Sequence, residues 1–321
     1  MQALYFDGNL EVKEMPHPRP GPGEALVRVR LAGICRTDLE VLKGYHDFQG
    51  IPGHEFVGEV VEPPDSALLG QRVVGEINLP CGVCRPCRRG LAKHCEERRV
   101  LGLRGKNGTF AEYLTIPTAN LHPVPLEVPD EAAVFTEPLA AALSVSEAAP
   151  AGPGQRVLVV GDGNLGLLVS FTLALRGLDT HLVGHYREHL SLAEPYGITT
   201  WLEEELSPAD FDLVVEASGS PTGLGVALER VRPRGTVVLK TTFAGHIPLD
   251  PTLVVVPEVC LVGSRCGPFS AALRLLERGW LDPRPLINRV FPLSKGREAL
   301  EFARQKGVLK VLLAGATSQK R

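Results

Sequence analysis

The chain reads as an α/β protein of two domains, a β-rich, barrel-like domain and a doubly wound domain built on a parallel sheet. Three observations predict this. Apolar and polar residues alternate in short runs through the first part of the chain, strand and helix patterns alternate over residues 140–265, and 321 residues exceed what one ordinary core encloses.

Taken in order, Ala3-Leu4-Tyr5-Phe6 and Ala25-Leu26-Val27-Arg28-Val29-Arg30 are short strand-like runs, separated by the prolines and glycines of residues 16–23. The same texture recurs at 56–61, 71–74 and 110–114, so antiparallel strands are expected there. Residues 140–149 are alanine-rich and helical, and Ala151-Gly152-Pro153-Gly154 breaks that helix. Strands are then expected at 156–160, 180–183, 213–216 and 237–240, with helices at 165–176, 188–196 and 222–230. After Leu261-Val262-Gly263 come a helix at 270–278, a proline-rich turn, a short strand, a helix at 295–306 and a last strand at 308–313. This tail is too small to fold alone. Residues 1–139 with 266–321 are therefore expected to form one domain and 140–265 the other, with a cleft between them.

A formal net charge of −3 carries no basic stripe, so neither nucleic acid nor an anionic membrane is an expected partner. The first ten residues have no basic segment leading into an apolar run, and no stretch reaches the roughly 18 apolar residues of a membrane span, so a cytoplasmic protein is expected. Seven cysteines, four of them within residues 81–95, favour metal ligation in a reducing compartment over disulfides. Cys260 and Cys266 are read as ordinary buried thiols. The apolar run Leu253-Val254-Val255-Val256 reads as an unpaired strand near the sheet's edge, which a homodimer or homotetramer would cover.

Two stretches carry a possible open metal site: Cys35-Arg36-Thr37-Asp38 and Gly53-His54-Glu55. A thiolate and an imidazole suit zinc, and Thr37 beside them offers a hydroxyl that could pass a proton outward. Glu137, in Thr136-Glu137-Pro138-Leu139, is a carboxylate placed where it could reach the same metal. Cys81-x-x-Cys84-x-x-Cys87 with Cys95 supplies a second, closed set of four thiolates, which suits a structural zinc; free cysteines and an iron–sulfur cluster are the alternatives.

The apolar run Val157-Leu158-Val159-Val160 leads into Gly161-Asp162-Gly163-Asn164-Leu165-Gly166. Gly161 permits a tight turn, Gly163 lets backbone approach a pyrophosphate, and Gly166 lets the following helix pack on the strand. A dinucleotide is the implied ligand. Roughly twenty residues further on, where an acid commonly meets the adenosine ribose, stands Gly184-His185-Tyr186-Arg187. With no carboxylate there and with His185 or Arg187 able to meet a ribose phosphate, NADP is favoured over NAD.

These motifs, in this order over nearly the whole chain, resemble the zinc-dependent medium-chain dehydrogenase/reductase family, and most closely its polyol, sorbitol, threonine and glucose dehydrogenase branch. The tail resembles it too, in Phe291-Pro292-Leu293, Glu298-Ala299-Leu300 and Lys310-Val311-Leu312-Leu313. The resemblance implies a GroES-like catalytic domain and a Rossmann domain. It implies that Cys35, His54 and either Glu55 or Glu137 bind the catalytic zinc, with Asp38 orienting His54 and Thr37 opening the proton relay. Glu40 stands where many alcohol dehydrogenases end that relay with a histidine, so the proton is expected to leave through water or His46. Arg36 would contact the pyrophosphate, and Ser218, Gly219 and Thr241 would border the nicotinamide. Tyr45, His46 and Phe110 are candidates for substrate contact.

The expected activity is hydride transfer between a secondary alcohol, polyol or sugar and NADP or NAD. Two other readings are a quinone or enone reductase of the same fold that uses no catalytic metal, and a dinucleotide-binding redox sensor. The first would not need Cys35, His54 and Glu137 together, and Thr37 beside Cys35 has no evident purpose in the second.

Overall fold

The computed structural model describes residues 1–44, 47–63, 66–206, 210–241, 247 and 249–315. The chain divides into two compact units, Met1–Glu137 with Leu273–Arg321, and Pro138–Ala272.

In the first unit a seven-stranded sheet carries the chemistry-bearing residues, in the order Leu121–Pro123, Arg72–Gly75, Glu55–Glu62, Glu24–Ile34, Lys310–Ala314, Ile287–Pro292, with Tyr113–Pro117 also paired to Glu24–Ile34. All pairings are antiparallel except that of the last two strands. The strand Glu24–Ile34 is the organiser. At its far end Gly33 lies opposite Glu55 on one side, and Ile34 lies opposite Val311 on the other. Residues at the start of the chain's last strand and at the start of Glu55–Glu62 are thereby brought to the same place. A small three-stranded sheet, Asn78–Leu79, Arg99–Leu101 and Gly105–Lys106, brackets the four-cysteine loop.

The second unit holds six parallel strands in the order Thr199–Leu202, Asp179–Gly184, Arg156–Val160, Phe211–Glu216, Val231–Leu239, Cys260–Gly263. Val157, Leu158 and Val159 are all fully buried, as a strand covered on both faces requires. Each such side chain stabilises the fold by about 1.5–3 kcal/mol. The strand order reverses direction beside Arg156–Val160. There Val160, Val183, Glu216, Leu239 and Gly263 lie in register, so the loops that follow them gather at the carboxyl end of the sheet. That end is the binding edge of an open parallel sheet.

Several expectations need correction. The run at 253–256 is not a strand: Thr252–Val255 is helical, with Pro251 at its N-cap and the Val255 N–H bonded to the Pro251 carbonyl at 2.9 Å. Proline's fixed φ suits a helix start, and a short apolar run carries no periodicity that tells strand from helix. The helix expected at 188–196 breaks into Arg187–Ser191 and a 3₁₀ turn, Glu194–Tyr196, around Pro195, which has no N–H to give. The strand Thr199–Leu202 had no clear sequence signal. Cys260 is exposed rather than buried, because it opens the edge strand of the parallel sheet.

Candidate functional site

Cys35 caps the helix Arg36–Val41, and Asp38 in the first turn folds back so that its Oδ2 accepts the Cys35 N–H at 2.8 Å. Its other oxygen, Oδ1, lies 3.0 Å from Nδ1 of His54. One fully buried carboxylate thus sets both the loop that presents the Cys35 thiol and the orientation of the His54 ring. In the neutral tautomer that donates its Nδ1–H to Asp38, Nε2 carries the lone pair that a metal would take in place of a second proton.

Glu55 is buried alongside. Its Oε2 is 2.6 Å from Nζ of Lys310, whose ammonium also donates to the Ile34 carbonyl at 3.3 Å. A Cβ at Gly33 would lie 2.1 Å from that same Oε2, so only glycine leaves room for the pair at this point of the strand. The other oxygen, Oε1, is buried with no hydrogen-bond partner among the described residues. The ligand atoms of Cys35, His54 and Glu55 all lie within 4.8 Å of one another.

The electrostatics of this group suit a cation. Burial disfavours an imidazolium at His54, yet the Asp38 carboxylate and then the Cys35 sulfur outweigh it and hold the pKa well above the ordinary value. Burial likewise disfavours the Lys310 ammonium, and Glu55 followed by Cys35 raises its pKa regardless. A thiolate, an imidazole and a carboxylate oxygen lacking any donor match a zinc ion, so the residues present fit that metal. The hydroxyl of Thr37 lies 3.7 Å from the Cys35 sulfur.

Glu137, half-buried in the first turn of the helix Thr136–Ala148, is not in the metal-sized group. Glu40 is held by Lys43 at 2.8 Å and lies 3.9 Å from the exposed Arg36. Phe110 is wholly buried against Gly53, which corrects its candidacy as a substrate contact. Tyr45 and His46 lie outside the described residues. Lys310 was missed; its only signal is a charge opening an otherwise apolar strand.

Cys81, Cys84, Cys87 and Cys95 also lie with all four sulfurs within 4.8 Å of one another. The Cys84 sulfur is 3.3 Å from that of Cys87 and 3.8 Å from that of Cys95. Backbone hydrogen bonds pull the Cys84 thiol down to about 7, whereas desolvation and the Cys84 sulfur push Cys87 up to about 12. Four crowded sulfurs of this kind fit a closed tetrahedral zinc shell.

In the second unit the glycine turn leaves the strand Arg156–Val160 with Gly161 at φ +113°, and the helix Asn164–Ala174 starts from Gly163. A Cβ at Gly166 would lie 1.8 Å from the Gly161 carbonyl oxygen, while a Cβ at Gly163 would meet nothing within 4 Å. Helix and turn are therefore in backbone contact, with open space over Gly163 and a helix N-terminus facing it. That cradle fits a dinucleotide's pyrophosphate. Asn164 Oδ1 is buried there without a hydrogen-bond partner among the described residues, and Leu165 follows in the first helical turn.

At the neighbouring strand ends, Glu216 Oε1 accepts from the Ser218 N–H and hydroxyl, at 2.9 and 2.5 Å, and Thr241 Oγ1 accepts from the Gly219 N–H at 3.0 Å. Beyond Gly184 the two basic side chains expected to meet a phosphate are both engaged. His185 pairs with Glu203 at 3.3 Å and Arg187 pairs with Glu205, in side chains that are about two-thirds exposed. Asp162, a residue of the glycine turn with no role expected from sequence, accepts the N–H groups of His185 and Tyr186 on its Oδ2, at 3.0 and 2.8 Å.

Residues 21–126 match the family model described as the alcohol dehydrogenase GroES-like domain. Over 331 aligned residues the chain is 33% identical to D-altritol 5-dehydrogenase of Agrobacterium fabrum, covering 95% of this chain and 96% of that one. Two solved structures superpose with TM-scores of 0.89: a short chain alcohol dehydrogenase of Escherichia coli CFT073 complexed with NADH, 26% identical, and a Sinorhizobium meliloti 1021 protein bound to NADP, 28% identical. The first covers 98% of this chain and 99% of its own, the second 98% of each.

Proposed function

Because the chain belongs to the zinc-dependent medium-chain dehydrogenase/reductase family, we propose that it is an NAD(P)-dependent dehydrogenase that interconverts a polyol, sugar or other secondary alcohol with its carbonyl compound. The observation that carries the reading is the gathering of Cys35, His54 and Glu55 with a buried carboxylate oxygen left without a donor. A metal-free reductase has no use for that group. The likeness to D-altritol 5-dehydrogenase supports a polyhydroxylated substrate.

Cys35, His54 and Glu55 hold the catalytic zinc in this reading, with Glu137 outside the resting set, and Cys81, Cys84, Cys87 and Cys95 hold a structural one. A bound zinc supplies Lewis acidity to the substrate oxygen, and a bound nicotinamide accepts or returns the hydride. The chain's own residues do the rest. Asp38 keeps the His54 ring turned and the Cys35 loop fixed. Lys310 holds one Glu55 oxygen so that the other faces the site. Thr37 relays the substrate's proton, its Oγ1 accepting it as the hydroxyl gives its own proton outward to water. Gly161, Gly163, Asn164, Leu165 and Gly166 seat the pyrophosphate, while Ser218, Gly219 and Thr241 shape the nicotinamide end.

The edge strand Cys260–Gly263, with Val255 and Val256 exposed nearby in sequence, supports self-association through that edge. Free thiols throughout support a reducing, cytoplasmic setting. No helix among the described residues is long and apolar enough to cross a membrane.

The deciding experiment follows nicotinamide absorbance while zinc-loaded protein meets alcohols, polyols, sugars and amino-alcohols with NAD and with NADP. Turnover with a polyol or sugar that a chelator abolishes is the expected result. Turnover that survives complete removal of the metal would sink the zinc mechanism.

A further inference from the structure

The carboxylate that a dinucleotide-binding sheet usually offers to the adenosine ribose comes from the end of its second strand. Here that strand, Asp179–Gly184, ends without one. The space is nevertheless filled. A Cβ built on Gly184 would lie 2.3 Å from both Cβ and Cγ of Asp162 and 2.6 Å from its Oδ2. The glycine at the strand end and the acid in the glycine turn are two sides of one arrangement, since no side chain fits at 184 while the Asp162 carboxyl occupies its place.

Asp162 is firmly held. Its Oδ2 takes the N–H groups of His185 and Tyr186, and Nδ1 of His189 stands 3.6 Å away. Among the described residues Oδ1 carries no hydrogen bond, and it is the atom left to accept one. Burial by itself disfavours the charged carboxylate, but His189 and the two N–H groups prevail and lower the pKa, so the group is an anion at neutral pH. The two backbone donors that might have bound a phosphate are already taken by Asp162. The two nearby basic side chains, His185 and Arg187, face Glu203 and Glu205.

We infer that Asp162 is the specificity-determining residue of the dinucleotide site: it accepts the adenosine ribose hydroxyls from the glycine turn in place of the missing strand-end acid, and selects NAD(H) over NADP(H). This rests on the dehydrogenase reading above and reverses the preference drawn from the missing strand-end carboxylate with His185 and Arg187 beside it. A ribose 2′-phosphate would bring a second anion against Asp162 with its compensating donors occupied, the like-charge contact that discriminates between ligands.

The test is equilibrium titration of the full-length protein with NADH and with NADPH, read by nicotinamide fluorescence, for wild type, Asp162→Asn and Asp162→Ser. Wild type is expected to bind NADH at least about tenfold more tightly, and Asp162→Asn, which keeps an acceptor for the two N–H groups, to close that gap mainly by gaining NADPH affinity. Equal or tighter binding of NADPH by wild type overturns the inference, as does an unchanged ratio in both variants. The wild-type ratio decides even if a variant does not fold. Selective NADH binding without turnover of any alcohol would defeat the dehydrogenase reading and leave this inference standing.

Discussion

Nζ of Lys310 lies 2.6 Å from Oε2 of Glu55, across 255 residues of sequence, with both side chains almost completely shielded from solvent. The pair exists because two strands flank the end of Glu24–Ile34 at Gly33 and Ile34, and Gly33 has no side chain to keep them apart. Removing the ammonium leaves a buried carboxylate whose two oxygens both lack a donor. Lys310→Met is therefore expected to destabilise the metal-free protein by about 3–5 kcal/mol, and Lys310→Met with Glu55→Gln by much less. Urea unfolding of the three proteins after chelation checks this; equal midpoints would show that the pair does not bear on stability.

Asp38→Asn should weaken zinc at the Cys35 group by about 10–100-fold, since one amide oxygen cannot serve both the Cys35 N–H and the His54 ring as the two carboxylate oxygens do, and the charge behind the ring is gone. Competition with a chromogenic chelator measures the affinity. NADH binding should not change, and a parallel loss of both would point to a folding defect.

Metal content separates the two sulfur sites. Wild type is expected to carry about two zincs per chain. Cys35→Ser should lose one of them together with turnover while still binding NADH, whereas Cys84→Ser should lose the other and unfold at a lower temperature. Retention of both ions in Cys84→Ser would refute a zinc in the four-cysteine loop.

Gly166→Ala would place a methyl group 1.8 Å from the Gly161 carbonyl oxygen, a backbone contact that cannot swing aside. The helix must move off the strand, at a cost of about 1–3 kcal/mol. Dinucleotide affinity should fall at the same time, because the turn and the helix N-terminus move together. A variant that melts like wild type and binds NADH normally would contradict the close packing.

Asp162 has a folded-state pKa below the ordinary aspartate value of 3.8. Its contribution to stability is therefore complete above that ordinary value and is lost as the pH falls through the lower folded value. The stability gap between wild type and Asp162→Asn should be widest near neutrality and should shrink in acid, as urea midpoints across that range would reveal. A gap that widens in acid would mean that Asp162 is held neutral instead.

Much of this protein was legible in its amino-acid order because the governing physics is local. A parallel strand covered on both faces needs a continuous apolar run, as in Val157-Leu158-Val159-Val160, and a tight turn into a helix needs Gly161 and Gly166 where they stand. Four thiols within one short loop can reach one another whatever the rest of the chain does. Cys35 and His54 were nominated on chemistry alone, and their meeting depends on Asp38, which spans from the Cys35 backbone to the His54 ring.

What only the tertiary structure decided depends on contacts between distant segments. Glu55 lies beside Cys35 and His54 because of strand register at Gly33, and Lys310 meets it from the last strand by the same register. Asp162 fills the space above Gly184 because two loops of the sheet converge there. Sequence order records which residues are available, but a one-residue change of register reverses which face a side chain occupies, so a buried pair such as Lys310 and Glu55 is specified by the packed sheet and by no local pattern.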